Sequence, residues 1–197
     1  MRLMKFVPPI LTLGLILMSV PAVSQVVPAY QGHRMPLSIG FGPSIYNPDW
    51  GQGNMWGGTV WGDWYPGFMP ASLHGLGLEI EARDLSKGQH LPTQKNIRQD
   101  TAGGGFIYSF RRFDKVQPYV KCLFGYGSYD FTTSSPTYSH DTRGLMAPGG
   151  GVEGRVYGPV WARVDYEYEM WQKLFQGNPT PAGFTFGVSY NFSVRGH

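Results

Sequence analysis

The sequence predicts an all-β fold, an eight-stranded antiparallel up-and-down transmembrane β-barrel. Three observations point to it. Eight stretches alternate apolar or aromatic residues with small or polar ones, and a period of two sends the two sets to opposite faces of an extended strand. Gly is abundant at 28 residues and aromatics make up 15%, which suits closely packed strands with bulk on one face only. An apolar leader precedes the strands. Arg2 and Lys5 open it, Phe6 to Val20 form its apolar run, and Pro21 is followed by the small residues Ala22-Val23-Ser24. That is the pattern of a secretory signal peptide, residues 1–24, cleaved after Ser24. The run falls short of the roughly 20 residues a spanning helix needs.

Residues 25–35 then form an N-terminal periplasmic segment, 36–192 the barrel, and 193–197 a C-terminal tail. The first strand, 36–45, sets Leu37, Ile39, Phe41 and Ile45 against Ser38, Gly40, Gly42 and Ser44. The second, 57–66, leaves its parity open, because Trp61 and Trp64 fall on different faces. In the third, 75–84, Leu76, Leu78, Ile80 and Ala82 oppose Gly77, Glu79, Glu81 and Arg83. The fourth, 100–111, puts Phe106, Tyr108 and Phe110 opposite Gly103, Gly105 and Ile107. The fifth, 117–130, puts Val120, Cys122, Phe124 and Tyr126 opposite Tyr119, Lys121 and Leu123. The sixth, 144–157, is Gly-rich, with Met146, Val152 and Val156 opposite Glu153 and Arg155. The seventh, 159–171, separates Val160, Ala162, Val164, Tyr166 and Tyr168 from Trp161, Arg163, Asp165, Glu167 and Glu169. The eighth, 182–192, carries Phe184, Phe186, Val188, Tyr190 and Phe192 on one face. Links at 67–74, 112–116 and 158–159 are expected to be short turns, and those at 46–56, 85–99, 131–143 and 172–181 long polar loops. That asymmetry matches short periplasmic turns opposite long outer loops.

Composition narrows the function classes. Residues 1–24 hold Arg2 and Lys5 and no acid, so their removal leaves 14 basic residues against 13 acidic ones. A nearly neutral mature chain gives no field for binding nucleic acid. Cys122 is the single Cys, so neither an intramolecular disulfide nor a lipid-bearing Cys near the cleavage site is available.

Face assignment separates a membrane barrel from a soluble one. Eight strands enclose a lumen that side chains just fill, and the bulky aromatic set would overfill it. The greasy face therefore points to lipid and the charged face inward. The inward set is Glu79, Glu81, Arg83, Lys121, Glu153, Arg155, Arg163, Asp165, Glu167 and Glu169, six acidic and four basic. Charges in a narrow lumen are costly unless paired, so a cross-strand ion network that plugs the barrel is expected. Two interfacial aromatic belts are expected as well. Trp161, Tyr119, Phe110, Phe113, Tyr157, Tyr190 and Phe192 fall at the periplasmic ends. Tyr166, Tyr168, Trp171, Trp50, Trp56, Tyr129 and Phe131 fall at the outer ends.

On the segment Arg163-Val-Asp-Tyr-Glu-Tyr168 and the closing Gly187-Val-Ser-Tyr-Asn-Phe192, residues 36–192 resemble the small eight-stranded outer-membrane β-barrels of the OmpA and OmpX type, within the outer membrane β-barrel domain family. The resemblance implies residence in the cell outer membrane among lipid and lipopolysaccharide. It also implies that the last strand, through Phe184, Phe186, Val188, Tyr190 and Phe192, is read by the barrel-assembly machinery. Ser193 to His197 follow Phe192 here, where the family pattern ends on the aromatic.

Little chemistry is expected. None of His33, His74, His90, His140 and His197 lies on a predicted strand. His140-Asp141, near Ser134, Ser135 and Ser139, is the nearest approach to a constellation, but a loop cannot hold triad geometry unaided. No metal or cofactor site is expected, and Gly103–Gly105 and Gly149–Gly151 lack the residues of a phosphate loop. The basic loop 85–99, with Lys87, His90, Lys95 and Arg98, offers contact to lipopolysaccharide phosphates. The expected role is structural or surface-interacting. A narrow porin-like channel is the first alternative and a lipid-modifying enzyme the second.

Overall fold

A computed structural model describes residues 37–49, 53–87, 96–110, 115–132, 139–173 and 178–192. The leader 1–24, the segment 25–35, the tail 193–197, and His33, Trp50, His90, Lys95, Phe113, Ser134, Ser135 and His197 lie outside the described residues.

Eight strands form one antiparallel ring. They are β1 (Leu37–Asn47), β2 (Met55–Trp64), β3 (Leu76–Lys87), β4 (Asn96–Ser109), β5 (Val116–Thr132), β6 (Ser139–Tyr157), β7 (Val160–Tyr168) and β8 (Ala182–Phe192). Each pairs with its sequence neighbours, and β1 pairs with β8 to close the barrel. Glu169 interrupts β7, which resumes as Met170–Trp171 against β6. Closure pairs every strand of the ring on both sides, which removes the open sheet edge a flat arrangement would have.

The register fixes the shape. From Ile45 the row runs one way through Trp56, Ser86, Arg98 and Asp130 to His140, and the other way through Phe184 and Tyr166 to Gly150. His140 and Gly150 are ten residues apart on β6, so the barrel has a shear of ten. With eight strands this tilts them by about 40° to the barrel axis.

Alternation assigns the faces as the residue sizes predict. Phe41, Ile80, Phe106, Phe124, Tyr126, Phe184 and Phe186 point outward and are exposed, while Glu79, Glu81, Arg83, Lys121, Arg163, Asp165 and Glu167 are buried inside. The open parity of the second strand resolves with Trp61 inward and Trp64 outward, which also turns Asp63 into the lumen. Trp161 and Tyr119 are buried inside as well, so they do not belong to an interfacial belt. Trp171 and Tyr129 are likewise lumen residues.

Two expected loops begin and end as strand. β3 continues to Lys87 and β4 starts at Asn96, while β5 reaches Thr132 and β6 starts at Ser139. Here polar residues (Asp84, Arg98, Asp130, Thr142) take the outer face and apolar ones (Leu85, Ile97, Tyr129, Leu145) the inner. The alternation persists with its polarity reversed, which reads as a hydrophilic loop when outward greasiness is the criterion. His140 therefore lies on β6, not in a loop.

Candidate functional site

The lumen is the most elaborate assembly of polar side chains in the barrel. Its members come mainly from β3, β5 and β7, which are not direct neighbours. They meet because the strands between them carry glycine on the inner wall. On β4, Gly103 and Gly105 stand opposite Glu81 and Glu79. On β6, Gly149 and Gly151 stand opposite Glu167 and Asp165. A Cβ at Gly149 would come within 2.7 Å of the Glu167 side chain, and one at Gly151 within 2.6 Å of the Tyr119 hydroxyl. Bare backbone on β4 and β6 thus leaves the space that side chains from β3, β5 and β7 cross.

Three cations stack through shared carboxylates. Nearest the end that holds both termini, the Arg163 guanidinium donates from Nε to the Tyr119 hydroxyl (2.7 Å) and from Nη2 to both Glu79 oxygens (3.1 and 2.9 Å). It also reaches Asp165 Oδ2 (3.2 Å), Asp63 Oδ2 (3.4 Å) and Glu153 Oε1 (3.9 Å). Its plane lies 4.7 Å from the Trp61 ring centre and 4.6 Å from that of Tyr119. In the middle, Lys121 Nζ sits among Glu79 Oε1 (2.9 Å), Glu81 Oε2 (2.8 Å), Asp165 Oδ2 (2.5 Å) and Glu167 Oε1. Beyond it, Arg83 donates to Glu167 Oε2 (2.5 Å), Glu169 Oε1 (2.7 Å), Glu81 Oε1 and the Thr59 hydroxyl (3.0 Å). Glu79 bridges the first two cations, and Glu81 and Glu167 bridge the second two.

The network continues into neutral groups. Gln99 Nε2 and Trp171 Nε1 donate to Glu169 Oε2 at 2.7 and 2.8 Å. Tyr129 donates to Gln99 Oε1 at 2.5 Å. Ser38 donates to Asp63 Oδ2 at 3.0 Å, and Tyr46 to Glu167 Oε2 at 3.2 Å.

Nine of the ten expected lumen charges are brought inside. The exception is Arg155, which is exposed and donates from Nε to the Gly158 carbonyl at 2.9 Å. Arg155 still stands in register opposite Trp161, and the register shifts only after it; its place beside the β6–β7 turn, at the mouth of the barrel, leaves it exposed. Asp63 was not anticipated, because the parity of its strand was open. The lumen ratio becomes seven carboxylates to three cations among the described residues.

A second feature was also missed. Met55, Leu85, Ile97, Leu123, Tyr129, Leu145, Ala147 and Trp171 form a buried apolar cluster filling the lumen toward the end away from the termini. Tyr65, Ile107 and Tyr119 form a smaller one toward the terminal end. The charged stack is therefore closed by apolar residues at the far end, while toward the terminal end Ser38, Ser109, Gln117, Ser189 and Asn191 share the buried inner wall with the smaller cluster.

Outside the far rim, side chains pair along the extended strands. Arg98 bridges Asp84 Oδ2 (2.9 Å) and Asp100 Oδ2 (3.3 Å). It is a strand residue held by two carboxylates, not part of a free basic loop. His140 contacts Asp130 Oδ1 through Nδ1 and the Thr142 hydroxyl through Nε2 at 3.1 Å.

The sequence profile described as "Outer membrane protein beta-barrel domain" matches residues 10–192. Neisserial surface protein A superposes with a TM-score of 0.63 at 14% identity, covering 79% of this chain and 96% of that one. OprG of Pseudomonas aeruginosa gives 0.58 at 14% identity, covering 83% and 99%. Ail, the attachment invasion locus protein of Yersinia pestis, gives 0.55 at 17% identity, covering 79% and 96%. At these identities the likeness is one of fold. No curated protein matches the sequence.

Proposed function

The chain belongs to the outer membrane β-barrel domain family, and on that premise we propose that it is a closed, non-enzymatic barrel of the cell outer membrane that acts through its outer rim. The carrying observation is the double closure of the lumen. The apolar cluster of Leu85, Ile97, Tyr129, Leu145 and Trp171 sits on a charged stack whose cations are each held by at least three carboxylates. A hydrated ion crossing this lumen would have to strip its water against apolar walls and break several buried pairs, at a cost of several kcal/mol for each. The porin-like alternative is tested directly. Purified protein in planar bilayers is expected to show no steady conductance at neutral pH, and a stable open level would overturn the closed reading.

Both termini of the ring lie at one end, since Leu37 pairs with Phe192. We place that end in the periplasm, where export delivers the chain, and the far rim outside. Cleavage after Ser24 is part of this reading, and intact-mass measurement of protein taken from membranes is expected to give a chain starting at Gln25. The closing strand, with Phe184, Phe186, Val188, Tyr190 and Phe192 all on its outer face, suits recognition by the barrel-assembly machinery. Lipopolysaccharide is the lipid partner. Lys95→Ala/Arg98→Ala is expected to weaken its binding in titrations, and equal affinities would remove the contact.

The enzymatic reading has one geometric foothold, the Asp130–His140–Thr142 chain of hydrogen bonds on the rim. Its order matches carboxylate, imidazole and hydroxyl in an acyl-transfer site, yet His140 is nearly half exposed, and preorganised acyl-transfer sites are water-excluded. Incubation with lipopolysaccharide or a fluorogenic acyl ester is expected to release no fatty acid. Turnover that His140→Ala abolishes would restore the enzyme.

A further inference from the structure

The charge in the lumen does not balance. Asp63, Glu79, Glu81, Glu153, Asp165, Glu167 and Glu169 face Arg83, Lys121 and Arg163, and all ten are buried. If every carboxyl were ionised, the enclosed network would carry four uncompensated negative charges. Even one unpaired buried carboxylate is strongly unfavourable, so something positive must accompany the chain into the fold.

A metal ion does not fit the obvious place. The four carboxylates that converge to within 4.8 Å, Glu79, Glu81, Asp165 and Glu167, already enclose Lys121 Nζ. The ammonium stands where the ion would. The apolar cluster bars a hydrated cation at the far end, and toward the other end the inner wall carries Ser38, Ser109, Gln117, Ser189 and Asn191, neutral groups that bring no charge to the carboxylates. Protons compensate the charge on the carboxyls themselves and need no ligand shell.

We propose that the lumen is a proton-binding site, in which the network takes up protons as the barrel folds, up to four at neutral pH. The structure offers a place for the first of them. Asp63 Oδ1 is buried with no hydrogen-bond partner, and a carboxylate oxygen that faces no donor is where a proton attaches at least cost. The groups around this carboxyl are Glu79 of β3, Glu153 of β6 and Arg163 of β7, with Tyr119 and Lys121 of β5 and Asp165 of β7 next to them. Further along the stack stand Glu81 and Arg83 of β3, Glu167 of β7, Glu169 beyond it, and Tyr46 of β1. The inner faces of β4 and β8 carry no charged side chain among the described residues.

The sign follows from linkage. Above about pH 6 the unfolded carboxyls are ionised, so the folded state binds more protons and stability falls as pH rises. Each proton taken up lowers the folding equilibrium constant about tenfold per pH unit. The test is urea unfolding, in detergent, of the chain purified from membranes, between pH 7 and 9. The expected result is a fall of at least tenfold per pH unit, reduced in Asp63→Asn. A wild-type equilibrium constant that is flat over this range overturns the proposal. Stability at fixed pH that rises with K⁺ or Ca²⁺ concentration also overturns it, in favour of a bound cation. Where the variant does not fold, a pH-stat reading on wild type decides, with net proton uptake expected on refolding and none counting against. The inference rests on the closed lumen. A conducting barrel removes that reading, whereas a closed barrel with a flat pH profile removes this one alone.

Discussion

Arg163→Leu is expected to destabilise the folded barrel by about 3–5 kcal/mol, the usual cost of breaking a buried charge network by removing one partner. The guanidinium serves Glu79, Asp63, Asp165 and Glu153 together. Leucine fills part of the volume and supplies none of the donors. Glu79 keeps Lys121, but Asp63 loses its cation altogether. The measurement is the urea midpoint of protein refolded in detergent. Val164→Leu is the control, because that neighbouring side chain faces outward and is about half exposed. An Arg163→Leu midpoint equal to wild type would show that the network contributes nothing to stability.

Gly40→Leu is expected to destabilise by about 3 kcal/mol, at the upper end of what overpacking costs. Gly40 lies on the inner face of β1 opposite Trp61 of β2. A Cβ there would stand 2.7 Å from the indole Nε1, so the ring has to move. It cannot move freely, because Arg163 stacks on it at 4.7 Å. Steric strain at β1 is therefore passed to the ion network. Trp61→Ala in the same chain should recover part of the loss, and a double variant no better than Gly40→Leu alone would refute this coupling.

The bounds of the closing strand, Ala182 to Phe192, coincide with the observed β8, since its alternation is uninterrupted from end to end. The inward charges of β3 and β7 were legible for the same reason. Asp63 was not, because Gly57, Gly58 and Gly62 and two tryptophans on opposite faces blur the alternation of β2. Arg155 has the inward parity and pairs with Trp161, but it lies next to the turn, where parity says nothing of how deep in the lumen a side chain sits. The apolar closure escaped notice because the two faces exchange polarity partway along a strand. On β3 the inner residues pass from Glu79, Glu81 and Arg83 to Leu85, as the outer ones pass from Leu78, Ile80 and Ala82 to Asp84 and Ser86. That exchange marks where the strand leaves the lipid and was available in the sequence. Contacts across the lumen between β3, β5 and β7 were not, because periodicity within a strand says nothing of reach across a barrel.

The uneven strand lengths also decide what meets the cell first. At about 3.3 Å per residue and a tilt of about 40°, the 19 residues of β6 rise roughly 48 Å and the 11 of β8 roughly 28 Å. The apolar band of such a barrel is only about 25 Å tall. One side of the cylinder therefore stops near the membrane surface, while the β5–β6 side stands roughly 20 Å higher as hydrogen-bonded ribbon. With the far rim outside, as proposed above, the described strands form an asymmetric crest carrying Asp130, His140, Asp141 and Arg143, so that one flank of the cylinder reaches further outward than the other.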